Sequence, residues 1–421
     1  MTSPAALHAF LAERNPSPRR AWFVPGRIEV LGKHTDYAGG RSLLCAIERG
    51  FHIVASPRRD GVVTLADPER RLQAALLVDD SLPQAPGHWT AYPRVVIRRM
   101  ARDFPDARRG ADIAFASDLP PAAGISSGTA LLVGVFLALS AINDLENHPA
   151  YRDAIGSRTD LAGFLAGVEN GYGFGPFPGD HGVGTAGGSE DHTAILCCER
   201  DRVAVYSFNP VRHERTVDLD PELRFIVASS GIIAEKAGGA RDAYNRASMA
   251  TRRILDIWNH FTARGDASLA AAVASRSDAP DCIRGLIRQE ARADAHYLVG
   301  RFDQFVEESN QIVPDAAERL AIRDYAAFGR IVDRSQSLAE RLLGNQVPQT
   351  IDLARSARQL GALAASAFGG GFGGSVWALV RAVDAEPFTE GWAAAYRRNY
   401  PAAAVRSIFF TTAAAPAARE I

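Results

Sequence analysis

Eight glycines and two prolines fall within residues 171–188, and backbone of that composition can only be a long loop. It divides the chain into two unlike halves. Ahead of it, β-type runs and helical patterns alternate. Behind it, two strand-like stretches give way to a helical half rich in Ala and Arg. Residues 3–14 carry Leu7, Phe10 and Leu11 at helical spacing, and 89–102, about 126–143 and 159–170 also read as helices. Strands are expected over 42–56 (Leu43, Leu44, Ile47), 61–66 (Val62, Val63, Leu65), 111–116, 203–206 and 225–228. A last glycine cluster at 369–374 leads into the apolar run Val376 to Val380. The tail after Thr412, Ala-rich with Pro416, is expected to fray.

At 421 residues the chain can bury a large core, and two domains are the better expectation. The motifs divide near residue 205, which predicts domains over 1–205 and 206–421. A hydrophobic fraction of 47% and a charged fraction of 23% are those of an ordinary soluble globular protein. Lys+Arg 47 against Asp+Glu 48 leaves a net charge of -1, so nothing argues for nucleic acid or an acidic lipid surface. The arginines of Arg98-Arg99-Met100-Ala101-Arg102 read as a solvated helix face. Four cysteines give no disulfide framework, and without a Cys-x-x-Cys spacing zinc is disfavoured. Reduced thiols fit a cytoplasmic protein. The N-terminus lacks a basic region followed by an apolar run. The longest apolar stretch, Ala130 to Ile142, is shorter than the ~20 residues of a bilayer-spanning helix and predicts a buried one.

Between Pro25 and Gly40, Arg27, His34 and Asp36 lie within ten residues, flanked by glycine turns. That density of hydrogen-bonding side chains suits a small polyhydroxylated ligand. From Leu119 the chain passes a proline turn, then Gly124, Ile125, Ser126, Ser127, Gly128 and Thr129, into an apolar helical run. Unsatisfied N–H groups at such a helix start attract an anion, although a plain serine N-cap has the same pattern. Gly182–Gly187 and Gly369–Gly374 match Gly-x-Gly-x-x-Gly, but the first follows an irregular loop and the second precedes a strand. Neither has the context of a dinucleotide fingerprint. Gly26 to Lys33 has one residue too many for a P-loop, with His34 where Ser or Thr is required. Asp191 follows two glycines, a place that ordinarily holds a turn or N-cap residue.

Taken together, these segments resemble the galactokinase family of the small-molecule kinase superfamily that includes homoserine and mevalonate kinases. The stretch 25–40 is similar to its sugar-binding signature, Gly-Arg-Val-Asn-Leu-Ile-Gly-Glu-His-Thr-Asp-Tyr, with Lys33 in place of the glutamate. Residues 120–129 resemble the Pro-x-x-x-Gly-Leu-x-Ser-Ser-Ala run that wraps ATP phosphates. Gly128 stands where galactokinases carry a third serine, which resembles the magnesium ligand of relatives; Thr129 or Ser127 is left to supply that hydroxyl. Phe368 to Trp377 resembles Gly-Ala-Gly-Phe-Gly-Gly-Cys, with Ser375 for the cysteine. The run Gly187 to His192 resembles Cys-Gly-Ile-Met-Asp-Gln and puts Asp191 on the catalytic aspartate. Glu169 resembles the magnesium-binding helix glutamate. It stands 22 positions before Asp191 where the family has about twelve, so 171–184 looks like an insertion of about ten residues that could lid the site. Tyr244-Asn245-Arg246 is similar to Tyr-Asn-x-Arg with the arginine one place early, and Trp89 to Tyr92 to Trp-Ala-Asn-Tyr near the adenine.

The resemblance implies an α+β, two-domain fold with the site in the interdomain cleft. It implies an ATP-dependent sugar kinase acting on the anomeric C1 hydroxyl of galactose or a close relative, with ATP and Mg²⁺. The partner is a small sugar, with neither nucleic acid nor membrane, and the chain is left open as monomer or dimer. Asp191 would orient the attacking hydroxyl and accept its proton; Arg27 would keep Asp191 charged and stabilise the transferring group. Mg²⁺ would sit on Glu169 and a hydroxyl of 126–129, Thr129 among them. Lys33, His34, Asp36 and Tyr244 would bind the sugar. Gly124, Ile125, Ser126, Ser127, Gly128, Thr129 and Trp89 would bind the nucleotide. Lys33, with three donors and no acceptor, either meets a C6 carboxylate, as in galacturonate, or turns away to pair with Glu29 or Glu190, the more ordinary outcome. A non-catalytic sugar sensor is the other reading, against which the intact Asp191 and Arg27 speak.

Overall fold

Residues 3–120, 123–232 and 239–421 are described by the structure, a computed structural model. Among them, the β-type runs of the first half assemble into one large sheet. β1 (Arg20–Leu31) and the long β2 (Arg41–Pro57) pair antiparallel at its centre. β3 (Val62–Asp67), β4 (Leu72–Leu77) and β5 (Ala111–Ser117) extend it on one side, with β3 and β5 parallel. β6 (Arg202–Ser207) and β7 (Arg212–Asp218) form a hairpin whose first strand pairs with the beginning of β2. A second sheet holds β8 (Leu223–Ser229), β9 (Ala364–Phe368), β10 (Ser375–Arg381) and β11 (Ile408–Thr412) in the antiparallel order β11-β8-β10-β9. The chain then returns: β12 (Ala414–Ala415) pairs with β2 and β13 (Arg419–Glu420) with β1.

Helices cover the sheets: α1 (Pro4–Ala12), α2 (Ala91–Asp103) and α3 (Ser127–Asn143) in the first half, and a largely helical segment from Gly239 to Gln359 before β9. α3 is apolar on nearly every face, and a helix of that kind is stable only when buried all round. It packs on β1 and β2 and against α2. Its Phe136 meets Phe164 of the helix Arg158–Asn170 with ring centroids 5.8 Å apart, and each buried aromatic of this kind contributes about 1.5–3 kcal/mol. These contacts fix the start of α3 relative to β1. Strand alternation puts Arg27 and Glu29 on one face of β1. The register of β1 on β2 shifts just before Arg27 and just after Glu29, and such bulges re-aim side chains beside active sites.

Three expectations change. The tail is tied down rather than frayed, because β12 and β13 complete the first sheet and Ala414, Ala415 and Ala418 are buried. The arginines of α2 are not a solvated face: Arg99 is 1% exposed and donates to the Tyr172 carbonyl at 3.0 Å, while Arg98 reaches Asp180 and Arg102 the Gly179 carbonyl. They hold the loop 171–188 against α2, so that loop is anchored rather than a free lid. We propose moving the domain boundary from 205/206 to 219–222, since the earlier position cuts β6 out of its hairpin with β7. No helix among the described residues is long and apolar enough to cross a membrane.

Candidate active site

A cleft of about 670 Å³ is lined by β1, the start of α3, the helix Gly239–Thr262 and the glycine turn between β9 and β10. Arg27 lies at its centre. Its Nε donates to Asp191 Oδ1 at 2.7 Å, Nη2 reaches the same carboxylate, and Nη1 donates to the Gly124 carbonyl at 2.7 Å. One side chain thus ties the aspartate of the 187–192 run to the turn that opens α3. Burial works against the Arg27 charge, but Asp191, Glu190 and Glu29 more than restore it and raise its pKa. Asp191 lies in the first turn of the helix Glu190–Cys197, 23% exposed on its side chain, against 4% for Arg27.

At one end of the cleft stand His34, Asp36 and Tyr244. His34 Nε2 lies 3.1 Å from the Gly370 carbonyl and Nδ1 2.9 Å from the Tyr37 hydroxyl. A carbonyl only accepts, so Nε2 carries the hydrogen and Nδ1 accepts from Tyr37. Tyr37 in turn accepts from Arg301. Burial, then the Arg301 charge, push the His34 pKa down to about 3, so the ring is neutral. Asp36 accepts the Glu190 N–H at 3.2 Å, and burial raises its pKa. The Tyr244 ring centroid is 5.1 Å from that of His34.

Lys33 is not part of this group. Gly32 has φ +112°, and a Cβ there would collide with Ser42; the turn it allows, continued by His34 at φ 59°, sends adjacent side chains in opposite directions. His34 enters the cleft, whereas Lys33 is 1% exposed and donates from Nζ to Ser335 Oγ at 2.9 Å. Ser335 donates to Glu308, which also accepts the Gly32 N–H at 2.9 Å. The expectation that Lys33 lines the substrate site is corrected: its hydrogen bond goes to Ser335, and its charge acts on Glu29, one of the two expected partners.

At the other end, Ser126, Ser127 and Gly128 open α3 and line the cleft with Gly124, Trp89 and Phe115. The Trp89 and Phe115 ring centroids are 5.8 Å apart with the planes tilted by 56°, an apolar wall of the cleft. Two of the expected residues turn their side chains to the core. Ile125 is buried in the core against Gly26, and Thr129 is fully buried, its hydroxyl without a hydrogen-bond partner among the described residues. Helical geometry turns the Thr129 side chain to the core side, away from the cleft lining. Ser126 lines the cleft instead, and its hydroxyl is buried and without a hydrogen-bond partner among the described residues. Glu169 lines the cleft as well, with Oε2 3.1 Å from His192 Nε2. The glycine turn at 369–374 is tied to the turn before α3 through Ser375, which donates to the Ala123 carbonyl at 2.6 Å.

Two acids of the site stood out in the sequence only as possible partners of Lys33. Glu29 lines the cleft two positions beyond Arg27, accepts the Gly369 N–H at 3.1 Å, and is pushed up to about 7 by burial, against the pull of Lys33 and Arg27. Glu190 accepts from Ser42 at 2.7 Å, and burial, with Glu29 and Asp36 nearby, raises it well above the usual carboxylate range. Strand spacing from Arg27 and adjacency to Asp191 were the available signals.

Comparison with known proteins agrees with this arrangement. Residues 8–57 match the galactokinase galactose-binding signature, 91–173 the GHMP kinases N terminal domain and 315–398 the GHMP kinases C terminal family. The galactokinase of Mycobacterium bovis is 30% identical over 366 residues, spanning 85% of this chain and 88% of that protein. The galactokinase of Roseiflexus is 27% identical, spanning 89% and 86%. Among solved structures, Lactococcus lactis galactokinase complexed with galactose superposes with a TM-score of 0.82 at 22% identity, covering 99% of both chains. Mevalonate kinase of L. major in complex with R-mevalonate has a TM-score of 0.56 at 13% identity, covering 95% and 96%. These structural likenesses establish the two-domain α+β fold.

Proposed function

The chain belongs to the galactokinase family, and from that premise we propose that it transfers the γ-phosphoryl group of ATP to the anomeric C1 hydroxyl of galactose. The observation that carries this reading is the Arg27 side chain, which joins Asp191 to the Gly124 carbonyl between the two ends of the cleft. Phosphoryl transfer has a loose transition state, so positioning and charge neutralisation supply most of the rate. Asp191 orients the C1 hydroxyl and takes its proton as the new O–P bond forms. Arg27 holds that carboxylate in place and offsets charge on the transferring group. Neutral His34, Asp36 and Tyr244 bind ring hydroxyls, and an ionised Asp36 accepts from donors only. The α3 start and its free N–H groups receive the phosphates.

The donor set fits Mg²⁺. This ion is usually held by one or two carboxylates together with substrate phosphates, and Glu169 with the unpartnered Ser126 hydroxyl offers that pattern. The ion would draw charge from the β- and γ-phosphate oxygens. Glu169→Ala is expected to raise the Mg²⁺ concentration needed for half-maximal rate and to lower kcat by about ten- to a hundredfold. A Mg²⁺ titration of rate, with Mn²⁺ binding followed by electron paramagnetic resonance, checks it. Unchanged metal dependence would place the ion elsewhere.

The test of the function is ADP release over a panel of hexoses, pentoses and uronic acids, with the product identified as a 1-phosphate by ³¹P NMR. Glu29, Asp36, Glu190 and Asp191 line the cleft together with Arg27, Arg70 and Arg241. A C6 carboxylate placed beside Asp36 and Glu190 would meet acids rather than donors, and a carboxylate left unpaired costs about 1–3 kcal/mol. Galactose is therefore expected to exceed galacturonate in kcat/KM by roughly ten- to a hundredfold. Equal or better use of the uronic acid would overturn this. Sugar binding without ADP release would instead favour a sensor.

A further inference from the structure

His192 is a buried imidazole that the fold leaves without a hydrogen bond. It is 1% exposed, it lines the cleft, and neither Nδ1 nor Nε2 has a hydrogen-bond partner among the described residues. Buried polar groups are ordinarily hydrogen-bonded, and one left unpaired costs about 1–3 kcal/mol. The galactokinase run Cys-Gly-Ile-Met-Asp-Gln has glutamine at this place. The position of the ring is fixed from two sides. Asp191 and His192 are consecutive in the first turn of the helix Glu190–Cys197, and helical rotation of about 100° separates them, so one meets Arg27 and the other Glu169. Asn170, next to Glu169, accepts the Gly187 N–H at 2.9 Å and donates to the Gly188 carbonyl at 3.2 Å. The 171–184 loop thus leaves and returns at fixed points, and its extra length does not separate Glu169 from His192.

The contact between the two side chains has the geometry of shared coordination. Nε2 lies 3.1 Å from Glu169 Oε2, close enough for a hydrogen bond, yet the ring nitrogen is not directed at an acceptor. Two donors at neighbouring corners of one octahedral ion, each about 2.1 Å from it, lie about 3 Å apart. The helices that carry Glu169 and His192 pack against each other and against α3, and both residues line the cleft, where nucleotide phosphates complete such a set. Resting on the kinase reading above, we infer that His192 Nε2 is a direct ligand of the metal ion that accompanies the nucleotide, at a corner next to Glu169. A nitrogen ligand thereby joins the carboxylate and hydroxyl of the site. Imidazole favours later transition ions such as Co²⁺, whereas carboxylate and carbonyl oxygens suit Mg²⁺. The site accepts Co²⁺ readily as well as Mg²⁺.

Mn²⁺ bound to the full chain with ADP reports the ligand directly. Electron spin-echo envelope modulation of that complex should show a coordinated imidazole nitrogen. The signal should change when the protein's histidines carry ¹⁵N, which separates it from the adenine nitrogens. His192→Gln, with an amide in place of the ring, should remove the signal while Mn²⁺ and ADP still bind. In the same variant the ratio of Co²⁺ to Mg²⁺ affinity, read by calorimetric titration in the presence of ADP, should fall roughly tenfold. Bound Mn²⁺ without histidine coupling in the wild type would overturn the inference and leave His192 to orient Glu169 only. That measurement needs no variant, so it stands even if His192→Gln folds poorly. Coupling that persists in His192→Gln would belong to another imidazole and would also overturn the inference. ADP release tells the two levels apart. Turnover with no histidine coupling sinks this inference alone, whereas a wild type with neither metal–nucleotide binding nor ADP release sinks the kinase reading and the inference with it.

Discussion

Asp191→Asn is expected to lower kcat by roughly a thousandfold while leaving sugar affinity within about tenfold of wild type. Asparagine keeps the size of the side chain and one oxygen to accept from Arg27, which now donates to Asp191 Oδ1 at 2.7 Å. What it loses is the capacity to take a proton and the negative charge opposite Arg27. The first matters only as the C1 hydroxyl becomes a nucleophile, so the loss should fall on kcat rather than on sugar binding. Folding should change little, because Glu29 and Glu190 still face the Arg27 charge and the Gly124 carbonyl still accepts from it. Single-turnover rates at saturating ATP, together with sugar titrations, test both halves. A variant with near wild-type turnover would remove Asp191 from the chemistry.

That pair also shows what sequence can deliver. Arg27 and Asp191 stand 164 positions apart, yet each lies in a short motif whose residue types are set by the chemistry, and the structure brings them into contact. The long helix from 127 and the glycine loop at 171–188 were legible for a simpler reason, since an unbroken apolar run and a run of glycines admit few conformations. Orientation was harder to read. Whether residue 33 or residue 34 enters the cleft depends on the positive φ at Gly32 and His34, which no side-chain pattern records. Ser126 is the N-cap of α3 at φ 59°, outside the helical region, so the helical period that buries Thr129 does not govern it. The arginines of α2 form a charged run that composition assigns to solvent. Their partners are carbonyls and the Asp180 carboxylate of a loop about 70 to 80 positions away, and only the folded chain brings these together.

Lys33 gives the second large effect, on stability rather than specificity. Its ammonium is buried, held by Ser335, and lies near Glu29, whose pKa it pulls down. Ser335 passes the contact to Glu308, and Glu308 comes from a π-helical turn, Glu308–Ile312, that reaches back to the Gly32 N–H. The network therefore joins the turn after β1 to the helical half of the chain. Lys33→Glu would restore the glutamate found at this place in the family signature, and by sequence alone it should improve the use of galactose. The structure leads to the opposite expectation. A carboxylate at 33 would be buried beside Glu29 and Glu308 with its cation removed, and an uncompensated buried charge costs about 3–5 kcal/mol. Thermal melting should show a drop of several degrees at neutral pH. Lys33→Met, which removes the charge without adding an opposite one, should fall between the two. The ratio of kcat/KM for galactose to that for galacturonate should stay the same in both variants, because the side chain at 33 faces away from the sugar. A change of tenfold or more in that ratio, with the melting temperature unaltered, would return Lys33 to the substrate site and show that the turn at Gly32 rearranges when sugar binds.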